Sequence, residues 1–63
     1  MFIKLKLDSD EYIRLNVEHI KSYKTSPNGK AVITMINGAT VNVQELVEDI
    51  DRLLIEGYYT VKS

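Results

Sequence analysis

Residues 33 to 54 read "ITMINGATVNVQELVEDIDRLL", and how this stretch is divided decides the fold. Asn37-Gly38 is the strongest short hairpin signal in the chain, because a two-residue type I′ turn needs positive φ at both central residues. Such a turn sets Ile36 opposite Ala39, Thr34 opposite Val41 and Val32 opposite Val43. These six then share the core face, while Ile33, Met35, Thr40 and Asn42 point away from it. Beyond the hairpin, Leu46, Val47, Ile50, Leu53 and Leu54 recur at helical spacing, with Glu48, Asp49, Asp51 and Arg52 on the opposite side. Asn42 is the expected N-cap, Glu45 its capping-box partner and Gly57 the C-terminal stop, which predicts a helix over about 43–56.

Working outward, "FIKLKL" alternates, with Ile3, Leu5 and Leu7 on one face and Phe2, Lys4 and Lys6 on the other. "DSDE" reads as a turn. "YIRLN" alternates again, with Ile13 and Leu15 inward and Tyr12 and Arg14 outward, so these two segments predict a hairpin. "NVEHI" is a short connector, at most one helical turn. From His19 to Thr25 Ile20 and Tyr23 have opposite parity, so both reach the core only if a bulge intervenes; with Ile20 inward and no bulge, Lys21 and Tyr23 join the outer face. "SPNG" is a turn, and "AVITMI" is the fourth strand. The tail 58–63 adds an edge strand or frays. The expectation is a single α+β domain over 1–63: an antiparallel sheet of about five strands with one C-terminal amphipathic helix packed on one face. Its core combines Val32, Ile36, Val41 and Val43 with Leu46, Ile50, Leu53 and Leu54, completed by Leu5, Leu7, Ile13 and Leu15.

A core within 63 residues supplies only a few kcal/mol, about 3–5, and with Cys 0 and His 1 neither disulfides nor a histidine-rich metal site can add to it. Oligomerisation is the remaining support, and a homodimer is expected. No apolar run suits a membrane helix or signal peptide, so the expected location is cytoplasmic, without membrane insertion. The formal net charge is -1, but residues 1–43 carry six Lys/Arg against four Asp/Glu, and residues 44–63 carry two against five. A mildly basic front thus precedes an acidic helix.

Catalytic chemistry is poorly represented. The one histidine, His19, lies in a connector with no assignable acid partner, and no cysteine is present to act as nucleophile. Glu45, Glu48, Asp49 and Asp51 sit at helical positions among Leu and Val, not at the alternating positions of a calcium loop. The three glycines, 29, 38 and 57, are isolated and form no phosphate loop. No enzyme activity, cofactor or metal is expected. The remaining feature is the outer sheet face. Phe2, Tyr12, Tyr23, Ile33 and Met35 are its expected protein-contact residues, and Lys4, Lys6, Arg14 and Lys21 the alternative nucleic-acid contacts, with rings to stack on bases and cations for phosphates. Packing against another copy or a protein partner is the leading expectation, because the tight aromatic signatures of RNA-binding sheets are missing.

Several segments carry a family resemblance. "IRLNVEHIKSYKTSP", "AVITMINGATVNVQE" and "LVEDIDRL" resemble the small FlbD/SwrD-type flagellar and swarming proteins, which carry Leu-Asn, a spaced Ile, a Thr-Pro stretch, a strand ending in Asn-Gly, and Val-x-Glu before a helix. Leu15-Asn16, Ile20, Ser26-Pro27, Asn37-Gly38 and Val43-Gln44-Glu45 stand in those places. "NGKA" replaces the family's Asp-Thr after the proline, and Leu46 stands where a hydroxyl residue is expected. The strand-hairpin-helix order also resembles part of a LytTR-type DNA-binding domain, although this chain is too short for a complete one. The FlbD/SwrD resemblance implies a small bacterial or phage-borne accessory protein connected with motility, with no catalytic residue to transfer.

Overall fold

The computed structural model describes residues 1–62, with side chains described for 1–56. Strands β1 (Phe2–Lys6) and β2 (Tyr12–Asn16) are followed by a 3-10 turn (Val17–His19), β3 (Ile20–Thr25), β4 (Ala31–Met35), β5 (Thr40–Asn42) and helix α1 (Val47–Lys62). The class is α+β. The strands do not form one five-stranded sheet: β1 and β2 make a two-stranded antiparallel sheet, and β3, β4 and β5 a three-stranded one in that order.

All three hairpin connections use one loop geometry. In each, three residues separate a flanking pair, the first flanking N–H donates to the second flanking carbonyl, and the third loop residue has positive φ. Leu7 N–H bonds Glu11 O at 2.7 Å around a loop ending in Asp10 (φ 71°). Ser26 N–H bonds Lys30 O at 2.7 Å around Gly29 (φ 87°), and Met35 N–H bonds Ala39 O at 2.8 Å around Gly38 (φ 91°). This is the three-residue hairpin with a left-handed third residue. In the two Asn-Gly loops the asparagine keeps negative φ, and its Oδ1 accepts a main-chain N–H two residues on, Asn28 from Lys30 and Asn37 from Ala39, each at 3.0 Å.

The extra loop residue corrects the expected β4–β5 register. The pairs are Thr34 with Thr40, Ile33 with Val41 and Val32 with Asn42. Because side chains alternate with period two, β5 keeps the expected inward Val41 and Val43, whereas β4 turns over. Ile33 is 0% exposed and Met35 packs on the core, while Ile36 is 62% exposed. On β3 a register shift between Ile20 and Ser22 marks a bulge, so Ile20 and Tyr23 both pack inward despite their opposite parity.

The helix starts later than the sequence predicts. Asn42 belongs to β5 and does not cap it, and residues 43–45 instead join the sheets. Leu7 and Val43 form an isolated antiparallel bridge. Gln44 N–H donates to Lys6 O at 2.8 Å, Ala31 N–H donates to Glu45 O at 2.9 Å, and the Glu45 carboxylate accepts the Lys6 N–H at 3.0 Å from each oxygen. Leu46 occupies the capping position, where its carbonyl accepts from Asp49 and Ile50 and its N–H donates to the Asp49 carboxylate at 3.0 Å. The side-chain half of a capping box is missing there, since leucine has no acceptor. This position also turns Leu46 out of the expected stripe, leaving it 42% exposed. The helix continues through Gly57 to Lys62, so Gly57 is not its stop; a glycine inside a helix costs only about 1 kcal/mol relative to alanine. Of the tail 58–63, Ser63 lies outside the described residues.

The core consists of Ile3, Leu5, Ala31, Ile33, Val43 and Ile50, with Leu7, Ile13, Leu15, Val47, Leu53 and Leu54 partly buried around it. Helix α1 packs against β1 and β3, one strand from each sheet. Ile50, 0% exposed, is its fully buried side chain among those described, and burying such a side chain contributes about 1.5–3 kcal/mol. The Tyr23 hydroxyl donates to the Asp51 carboxylate, tying β3 to α1. That bond to a carboxylate, reinforced by partial burial and the negative charge, pushes the Tyr23 phenol up to about 12. No helix among the described residues is long and apolar enough to cross a membrane.

Candidate binding face

Alternation along β1 and β2 fixes the outer face of their hairpin. The register pairs Phe2 with Asn16, Lys4 with Arg14 and Lys6 with Tyr12, and these even-numbered residues project away from the core. The odd-numbered residues make the ladder: Val17 N–H donates to Met1 O at 2.9 Å at one end and Leu7 N–H to Glu11 O at 2.7 Å at the other. Lys4 and Arg14 are therefore a non-hydrogen-bonded pair, the closer of the two spacings, with Cα atoms about 4.5 Å apart.

Two aromatic rings stand among these cations, Phe2 at 65% and Tyr12 at 60% exposure. The Lys4 ammonium lies 4.6 Å from the centroid of the Tyr12 ring and the Lys6 ammonium 5.6 Å from it, within cation–π range. Lys6 also reaches Asp10 at 3.7 Å. Asp10 accepts from Gln44 Nε2 at 2.7 Å, and this bond, followed by the Lys6 charge, holds its carboxyl below the usual range. Among the described residues neither Lys4 nor Arg14 has a carboxylate partner.

The structure thus brings together Phe2, Tyr12, Lys4, Lys6 and Arg14. It separates Ile33, Met35 and Tyr23 from them: these three belong to the core and its margin, which corrects the outer-face placement expected for all three. Lys21 is exposed at the β3 bulge, in the other sheet. His19 is exposed, and its carbonyl accepts from Ile36 N–H at 2.8 Å. On α1, Asp49 is held by Leu46 N–H and Arg52, and Asp51 by Tyr23. No group of three metal-ligating side chains converges among the described residues.

Sequence reasoning missed Gln44 and Glu45 as the join between the sheets. Gln44 Nε2 also donates to Leu7 O at 2.9 Å, so one side chain supports both the end of β1 and the loop beneath the candidate face. No local pattern marks these roles, because the partners of the two side chains lie 34 to 39 residues away. Asp10 did carry a signal: it stands third in a three-residue loop, where the other two loops have glycine. No protein-family model, curated protein or solved structure matches the chain.

Proposed function

We propose that this chain is a non-enzymatic accessory or adaptor protein that docks a protein partner through the outer face of the β1–β2 hairpin. The observation that carries the reading is the exposure of Phe2 and Tyr12 among Lys4, Lys6 and Arg14 on one sheet face. Aromatic and arginine side chains are the groups that most often anchor protein interfaces. A motility setting follows only from the resemblance to FlbD/SwrD-type proteins. A homodimer through this face would crowd the cations of two copies together, which favours a different protein as occupant.

The same cations favour a second reading, nucleic-acid binding through phosphates. Against base stacking stands the Lys4 ammonium, which already covers the Tyr12 ring. Site-specific photo-cross-linking in the host separates the two. A benzophenone side chain at position 2 is expected to give a protease-sensitive, nuclease-resistant adduct that is absent with the same group at position 24, on β3. Nuclease-sensitive adducts, or equal adducts from both positions, would overturn the adaptor reading.

A further inference from the structure

We infer that the free edge of β2 accepts an extended peptide strand of alternating acidic and apolar residues, donated by the protein partner. This rests on the adaptor reading and specifies its partner chemistry and docking mode. The odd-numbered residues of β2 bond β1, so the main-chain groups of Tyr12 and Arg14 point away from it, and no described strand lies beside them. The other edges are partly closed, shorter or distorted: β5 has three residues. On β1, Lys6 N–H is taken by the Glu45 carboxylate and Lys6 O by Gln44 N–H. The β3 edge carries the bulge at Lys21. β2 has five residues in continuous register, without proline or bulge, so nothing in its backbone prevents a further strand from pairing there.

Charge identifies that strand. Like charges directly opposite one another in a sheet are destabilising, and Lys4 faces Arg14 with no carboxylate beside them among the described residues. An added strand would set alternate side chains on this outer face next to Arg14, where carboxylates neutralise the pair. Its intervening residues would extend the opposite face, where Ile13 and Leu15 remain half-buried at the sheet margin and apolar side chains would cover them. A second copy of β2 fits less well, since Tyr12, Arg14 and Asn16 offer no carboxylate on that face. Nucleic acid supplies the negative charge but cannot continue the main-chain ladder.

The test is an NMR titration of the intact chain with the capped peptide Thr-Glu-Val-Glu-Val-Glu-Thr, its counterpart with lysine for glutamate, and a thymidine oligonucleotide. The glutamate peptide is expected to shift the Tyr12 and Arg14 amides, slow their hydrogen exchange, and lose affinity as salt is raised. The lysine peptide should not bind. Arg14→Glu, at an exposed position, should weaken the glutamate peptide about tenfold and reverse the preference between the two. Equal binding of both peptides, or shifts without slowed exchange of the Tyr12 and Arg14 amides, would overturn the inference. If no peptide binds while the cross-linker at position 2 still captures protein, the strand inference falls and the adaptor reading stands. If the oligonucleotide displaces the glutamate peptide from this face and cross-links there, both fall.

Discussion

The β1–β2 and β4–β5 hairpins turn through the same loop geometry and each buries one face, yet their other faces differ in kind. β4–β5 buries Ile33, Met35 and Val41 and turns Val32, Thr34, Thr40 and Asn42 the other way, a side with no charged residue. β1–β2 buries Ile3 and Leu5, packs the half-buried Ile13 and Leu15 against them, and presents three cations with two aromatic rings on its other face. Binding chemistry is thus concentrated on one hairpin, while β4, the strand richest in apolar residues, is committed to the core. One loop residue decides this, because a two-residue turn at Asn37-Gly38 would have placed Ile33 and Met35 outside.

The largest expected effect tests that division directly. Ile33→Lys would bury an unpaired ammonium at a fully enclosed site and is expected to cost more than about 4 kcal/mol, enough to unfold a domain of this size. Phe2→Lys, on the exposed face, is expected to stay within about 0.5 kcal/mol of the parent. Urea unfolding followed by circular dichroism measures both. A folded, cooperative Ile33→Lys protein would mean that β4 presents its other face to the core.

A smaller effect probes the shared loop. Gly38 at φ 91° has no neighbouring atom within 4 Å of a built Cβ, so alanine there meets only the backbone penalty of the left-handed region, about 1–2 kcal/mol. Gly38→Asn should cost less than Gly38→Ala, because asparagine tolerates this conformation much as Asp10 does in the first loop. Equal stabilities for the parent and Gly38→Ala in thermal melts would refute the left-handed third position and, with it, the three-residue loop that sets the β4 register.

The contrast between the hairpins also explains what the sequence made legible. "FIKLKL" and "YIRLN" alternate strictly, so the outer face of β1–β2 followed from parity alone. "AVITMI" is apolar on both parities, so its pattern cannot choose a face, and the decision passes to loop length. Asn-Gly suits both a two-residue turn and the last two places of a three-residue loop; the difference is the sign of φ at Asn37, which residue type does not fix. The opposite parity of Ile20 and Tyr23 leaves two outcomes open, a bulge or an outward Tyr23, and it is the bulge that sets Tyr23 against the core. The helix start was misplaced because Val43 fits either a strand or a helical stripe, and long-range partners draw Gln44 and Glu45 into the join between the sheets. At the candidate site, the cations and the rings of Phe2 and Tyr12 were readable. The free edge of β2 was not, because it depends on which strands fail to pair.

The smallest effect sharpens the comparison at the third loop position, where the first hairpin has a carboxylate and the other two have glycine. Asp10 tolerates φ 71° and also fastens its loop to Gln44, whose amide lies 2.7 Å away, with the Lys6 ammonium at 3.7 Å. Both interactions favour the ionised form, so the folded-state pKa lies below the ordinary value of 3.8. A carboxylate depressed in this way contributes stability that is fully present above its unfolded pKa and is lost as pH falls through the folded value. Asp10→Asn keeps a residue suited to the left-handed region and removes the carboxylate's charge together with its titration. The parent should therefore be the more stable protein at neutral pH, with the gap in melting temperature constant down to about pH 5 and narrowing below pH 4. A gap that widens on acidification would show that the Asp10 contacts favour the protonated carboxyl, and that the loop of the binding hairpin is held by something other than its charge.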